Sequence, residues 1–199
     1  MEFACELQLF TGRQAISHDW WNNHKQQFDL RISVLVEEEI SRGDESAAEQ
    51  RLALVADIPS FSISNEATNL AELLLSQGAV PRGSEEDALH IGIAAAQGAD
   101  YLLTWNFKQI MLKQNQQLLK LWSRVDLYAL NYVLPKNLEE LIMIEDPIVK
   151  EIHDCRKKHA AKYGNELKRI VEALRKQERN SKRILLNPGP KLLLKRIGS

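Results

Sequence analysis

The segment that most limits how this chain can fold is Ser84 to Gly98, SEEDALHIGIAAAQG. Its spacing predicts a helix with Ser84 as N-cap, Asp87 three residues on in a near capping-box pattern, and Gly98 as the stop. Gly92, Ala94, Ala95 and Ala96 leave much of its surface without long side chains. Such a helix allows close backbone approach, as when it lies flat on a sheet. Directly after it, Tyr101-Leu102-Leu103-Thr104 reads as a strand that ends at Trp105-Asn106.

The same alternation runs through the first 140 or so residues. Residues 13–27 read as a helix ending in an aromatic and polar stretch. The apolar, β-branched run LRISVLV (30–36) suits a short buried strand turning into a helix that carries Glu37, Glu38 and Glu39. Residues 45–56 follow helical spacing, and Ile58-Pro59 stops them. SFSIS (60–64) alternates as a strand does. Asn65 is placed to cap a helix running to Gly78, with Leu70, Leu73, Leu74 and Leu75 on its buried side. Residues 109–122 read as helix and 131–134 as a last strand. Strands alternating with helices predict an α/β fold with a short parallel sheet. In such folds chemistry sits at the carboxyl ends of strands, and Thr104 and Asn106 lie at one.

From Asp146 the character changes. Two amphipathic helices, 147–162 and 165–179, fit best, followed by NSKRILLNPGPKLLLKRIGS. Asn187-Pro188-Gly189-Pro190 excludes helix there, so the end reads as an extended or disordered basic tail. Charge divides at the same place. Residues 1–143 hold 20 acids and 11 bases, net −9; residues 144–199 hold 7 acids and 15 bases, net +8. A basic segment of this kind contacts nucleic acid, folds onto the acidic body, or stands as a solvated helical tail, and charge alone leaves all three open. No apolar run approaches the roughly 18 residues of a membrane span. MEFACELQLF lacks the marks of a signal peptide. Cys5 and Cys155, far apart and without CxxC spacing, read as free thiols of a reducing cytoplasm.

The chain has no glycine-rich phosphate loop, no GxSxG and no CxxC pair, so nucleophile schemes built on Ser, Cys or Lys lack support. Carboxylates remain. Clustered at the edge of a parallel sheet they hold hard cations such as Mg²⁺ or Mn²⁺, which activate water and stabilise charge on a phosphodiester. Glu39, Asp87 and Asn106 are the candidates. Each has an ordinary alternative: a solvated helix face for Glu39, helix-dipole compensation for Asp87, a turn for Asn106.

Two segments carry a resemblance. SVLVEEEISRGD (33–44) and DALHIGIAAAQGADYLLTWNFKQI (87–110) together resemble the PIN-domain family, closest to VapC-like toxins of bacterial type II toxin–antitoxin pairs. The resemblance covers about two-thirds of the chain, to about residue 141. It implies a PIN-like three-layer α/β fold with a short parallel sheet, and a metal-dependent endoribonuclease that hydrolyses RNA phosphodiesters in the cytoplasm. Glu39, Asp87 and Asn106 match that family's catalytic and Mg²⁺- or Mn²⁺-binding side chains, with Thr104 positioning substrate. The chain departs from the pattern at its start. PIN domains open with a central strand ending in an acid, and MEFACELQLFTG aligns with the helix after it, so an incomplete site is expected. Met143-Ile-Glu-Asp-Pro-Ile-Val and the basic helix after it resemble small antitoxins encoded beside such toxins. The implied organisation is a PIN-like domain over 1–142 lacking its first strand, and an antitoxin-like helical tail over 143–199 with a disordered end. RNA, an antitoxin (the chain's own tail in cis) and a second copy in a homodimer are the implied partners. The alternative is an inactive PIN-like remnant acting as a binding or regulatory module. On the cis reading, the +8 tail lies over the −9 body and sets an Arg or Lys near Glu39 and Asp87.

Overall fold

The structure is a computed structural model that describes residues 15, 17–81, 83–103, 131–133 and 147–190. The expected helix at 109–122, the residues Thr104 and Asn106, and the chain beyond 190 lie outside the described residues.

A π-helical turn, Trp20–His24, and a 3-10 turn, Lys25–Gln27, lead into strand β1 (Ile32–Ser33). The LRISVLV run changes from strand to helix at Ser33. Its hydroxyl accepts from Val36 N at 3.4 Å and caps helix α1 (Val34–Ile40). Asp44 caps α2 (Glu45–Leu54) in the same way. Strand β2 (Ser60–Phe61) follows, then α3 (Asn65–Ser76). The cap of α3 is Ser64, which accepts from Ala67 N at 3.1 Å, and Asn65 is its first helical residue rather than its cap. Helix α4 (Glu85–Ala96) has Ser84 at its N-cap position without the side-chain capping bond the sequence suggested. Strands β3 (Tyr101–Leu103) and β4 (Asn131–Val133) come next, then α5 (Pro147–Lys162), α6 (Leu167–Asn180) and β5 (Leu185–Leu186).

The fold is mixed α/β, mostly helical, and its strands are short and parallel. Among the described residues they form two sheets: a three-stranded one in the order β1-β2-β5 and a two-stranded one, β3-β4. Ile32 pairs with Ser60 and Ser33 with Phe61; on the other side of β2, Ser60 pairs with Leu185 and Phe61 with Leu186. The C-terminal segment, read as extended or disordered, is extended at Leu185–Leu186 and contributes an edge strand there. Its backbone carbonyls at Ile184 and Leu186 accept from Ser60 N and Ser62 N at 3.0 and 2.9 Å.

Close packing occurs where the small-residue helix predicted it, but against a different partner. A Cβ on Gly92 would stand 2.4 Å from the Ala67 carbonyl oxygen and 3.3 Å from Ala71 N. Gly92 therefore lets α4 press on α3, helix on helix, not on a sheet. Around this contact lies one core: Leu35 of α1, Leu70 and Leu74 of α3, Leu89 and Ile91 of α4. Leu167, Ile170, Val171 and Leu174 of α6 belong to the same cluster. Each such side chain, fully buried, contributes on the order of 1.5–3 kcal/mol. Helix α6 is thereby part of the core that also holds α1, α3 and α4. Among the described residues no helix is long and apolar enough to cross a membrane.

Candidate functional site

Glu39 stands at the C-terminal end of α1, and Asp87 in the first turn of α4. The core that joins α1 to α4 brings the two carboxylates together, although 48 residues separate them in sequence. Between them lies Arg156 of α5. Its Nε donates to Glu39 Oε1 at 2.6 Å, one Nη donates to Glu39 Oε2 at 3.1 Å, and the other donates to Asp87 Oδ1. The guanidinium fork fits this use, because it presents several donors in one plane and keeps its charge when buried. The tail does set a basic side chain beside Glu39 and Asp87. Glu39 is not the solvated residue that a run of three glutamates usually supplies.

His90, one turn beyond Asp87, completes the group. Its Nε2 lies 3.0 Å from Glu39 Oε1 and 3.5 Å from an Arg156 Nη. Burial by itself would raise the Glu39 pKa. The His90 and Arg156 charges, with their hydrogen bonds, outweigh burial and hold the carboxyl far below the ordinary carboxylate range. For Arg156, burial disfavours the charged form, and Glu39, Asp87 and Glu86 more than reverse that.

A second buried group adjoins the first. Glu86 is almost completely enclosed, with 1% of its surface exposed. One of its oxygens meets His159 Nδ1, and the other lies 3.7 Å from an Arg42 Nη without a hydrogen bond. Burial pushes the Glu86 carboxyl up to about 7, only partly offset by Arg42, and the like charge of Glu39 adds to the rise. His159 is shifted the other way, chiefly by burial and then by Arg42. Its Nε2 is 3.6 Å from Glu38 Oε1. Arg156 and His159 are three residues apart, hence on one face of α5, and both enter the acidic surface of the body.

Each glutamate of the 37–39 run meets a side chain from the C-terminal segment. Arg183 Nε lies 2.6 Å from Glu37 Oε1, Gln177 Nε2 donates to Glu38 Oε2 at 2.7 Å, and Arg156 binds Glu39. Arg183 also donates to the carbonyls of Val55, Ala56 and Ile58 at 2.5–3.0 Å, closing the end of α2.

The sequence thus indicated Glu39 and Asp87, and the structure joins them. It did not indicate Arg156, His90, Glu86 or His159. Helical spacing could have grouped Arg156, His159 and Ala160 on one face of α5, and His90 one turn from Asp87. Among the described residues, no group of three or more His, Cys, Asp or Glu side chains is arranged to hold a metal ion. In this arrangement the described residues do not fit a bound Mg²⁺ or Mn²⁺: the guanidinium takes the place between the carboxylates. Comparison with known protein families, with curated proteins and with solved structures finds no match to this chain.

Proposed function

We propose that the chain is a PIN-like endoribonuclease module carried in a self-neutralised state, its carboxylate site closed by its own antitoxin-like C-terminal helices. One observation carries the reading: Arg156 of α5 is bound to both Glu39 and Asp87, the two carboxylates that the family resemblance assigns to metal and RNA chemistry. A cationic side chain held by two buried carboxylates marks a place suited to positive charge. With Arg156 seated, neither a divalent cation nor a phosphodiester has access to that pair. On this reading the substrate class is RNA, and Glu39 and Asp87 would help hold Mg²⁺ or Mn²⁺ only once Arg156 had withdrawn.

The test is RNA cleavage by the full chain in Mg²⁺ and in Mn²⁺. Wild type leaves RNA intact, Arg156→Ala cleaves it, and Arg156→Ala combined with Asp87→Ala does not. A point substitution is preferable to deleting 144–199, because α6 and β5 are part of the core and the sheet. Arg156→Ala also leaves two carboxylates facing each other, so Mn²⁺ should raise its thermal midpoint while leaving wild type unchanged. RNA left intact by Arg156→Ala at every metal concentration, with no Mn²⁺ stabilisation, overturns the nuclease reading.

That outcome would favour the second reading, an inactive PIN-like remnant acting as a binding or regulatory module. It draws support from the strands, which form two separate small sheets among the described residues.

A further inference from the structure

The basic residues of the C-terminal segment divide by direction. Arg156, Arg175 and Arg183 point inward, and each binds acceptors on the body. Lys157, Lys158 and Lys162 of α5, Lys176 and Arg179 of α6, and Lys182 are exposed. Among the described residues none of these six makes a side-chain hydrogen bond or a close ion pair, although the Arg179 charge acts on Glu178; Lys168 and Arg169 by contrast pair with Glu72 and Glu166. Among the described residues the exposed acids of these helices and their connection are Asp154, Glu166 and Glu172.

The placement is regular. Lys158 and Lys162 are four residues apart, about 6 Å along α5 and on one face. Lys176 and Arg179 share a face of α6 opposite Ile170 and Leu174, which are in the core. Gly164 (φ +68°) and Asn165 (φ +56°) turn the chain between the helices. Lys157 lines the pocket that Asp87 and Arg156 also line, so the outward cations begin at the edge of the carboxylate site.

We propose that the exposed cations of α5 and α6 dock the phosphate backbone of single-stranded RNA and lead the strand to the pocket lined by Asp87 and Arg156. Charge complementarity supports it: a run of cations without internal partners has its counterions to release, and phosphate contacts dominate nucleic-acid affinity. Lysine suits a backbone contact, since it acts as a point charge and reads no base. The choice of RNA over other polyanions rests on the ribonuclease reading above.

The experiment measures binding of a fluorescently labelled oligouridylate to the full chain by anisotropy, in EDTA, across a salt series. Wild type should bind with an affinity that falls steeply with salt. The variant Lys158→Glu, Lys162→Glu, Lys176→Glu, Arg179→Glu should bind about tenfold more weakly or worse. Its slope of log K against log salt should be shallower by about 0.7 for each contact removed. All four side chains are exposed, so the fold should be kept, with some fall in the thermal midpoint from the lost attraction between segment and body; if the variant fails to fold, the four Gln substitutions carry the same expectation. Wild type that does not bind, or a variant that binds as well as wild type, overturns the proposal. Tighter binding to duplex DNA of equal length overturns the assignment to RNA. Binding in EDTA needs no cleavage. RNA bound by wild type but left intact by Arg156→Ala therefore sinks the nuclease reading alone, while cleavage by Arg156→Ala that survives the four reversals sinks the surface alone.

Discussion

Helices α5 and α6 both bring the C-terminal segment onto the body, and they hold it by opposite means. Helix α6 buries Leu167, Ile170, Val171 and Leu174 in the common core. Helix α5 holds chiefly by polar side chains, Arg156 on Glu39 and Asp87 and His159 on Glu86, with Ala160 in the core. Apolar burial does not depend on direction, whereas a buried ion pair tolerates no missing partner. The difference suggests a division of labour. The α6 contact fixes the segment to the fold, and the α5 contact covers the carboxylates. Opening the site then requires Arg156 to leave the carboxylates while α6 stays.

The largest effect should come from Arg156→Ala. Removing one partner from a buried ionic network costs on the order of 3–5 kcal/mol, because the remaining charges stay buried. If the two helices act separately, that loss falls on α5. Amide exchange should quicken across α5 while α6 keeps its protection. Uniform loss of protection in both helices would break the comparison and make the segment one cooperative unit.

Leu174→Ala should come next. Leu174 is 1% exposed, and truncating such a core leucine costs about 2–5 kcal/mol, depending on how far the site collapses. Here the expectation reverses: α5 and α6 should lose protection together, because the anchor of both has been weakened. A denaturant titration read alongside exchange would show a lower midpoint with one transition. Loss confined to α6 would contradict its role as the anchor.

These assignments show which parts of the molecule were legible in the sequence. The strand-to-helix change at Ser33 could be read because a β-branched run ends on a capping residue. Helices α3, α4, α5 and α6 could be read from apolar spacing. Strand β5 was hidden, since two leucines between a basic stretch and Asn187-Pro188 have no periodicity to detect. The partner of Gly92 was hidden as well. Small residues announce close approach but not what approaches, and it proved to be the backbone of α3. For the site, the family resemblance located Glu39 and Asp87. The opposed charges of −9 and +8 allowed docking of tail on body as one of three readings. Which cation would dock was not legible, because Arg156 is chosen by the face it shares with His159 and Ala160 and by how that face meets α1 and α4 in the fold.

The smallest effects sharpen the anchor. Beyond Leu174, α6 uses side chains where a sheet would use a neighbouring strand. Ile63 N donates to Glu178 Oε1 at 2.8 Å, and Arg175 Nε donates to the Ile63 carbonyl at 2.9 Å. Glu178→Ala leaves a buried amide without an acceptor and should cost about 1–3 kcal/mol. Glu178→Gln keeps a carbonyl oxygen there and removes the buried charge. Burial holds the Glu178 carboxyl above its ordinary pKa, though the Ile63 amide and Arg175 partly oppose this. The folded chain therefore binds this proton more tightly than the unfolded chain. Stability tied to the proton is fully present in acid, below the unfolded carboxylate pKa, and is lost as pH rises through the folded value. Glutamine cannot titrate, so it lacks that loss. Urea midpoints of wild type and Glu178→Gln should therefore diverge as pH rises from acid to neutral, with the glutamine variant gaining relative to wild type. If the gap moves the other way, the carboxylate itself, and not just its oxygen, holds α6 to Ile63.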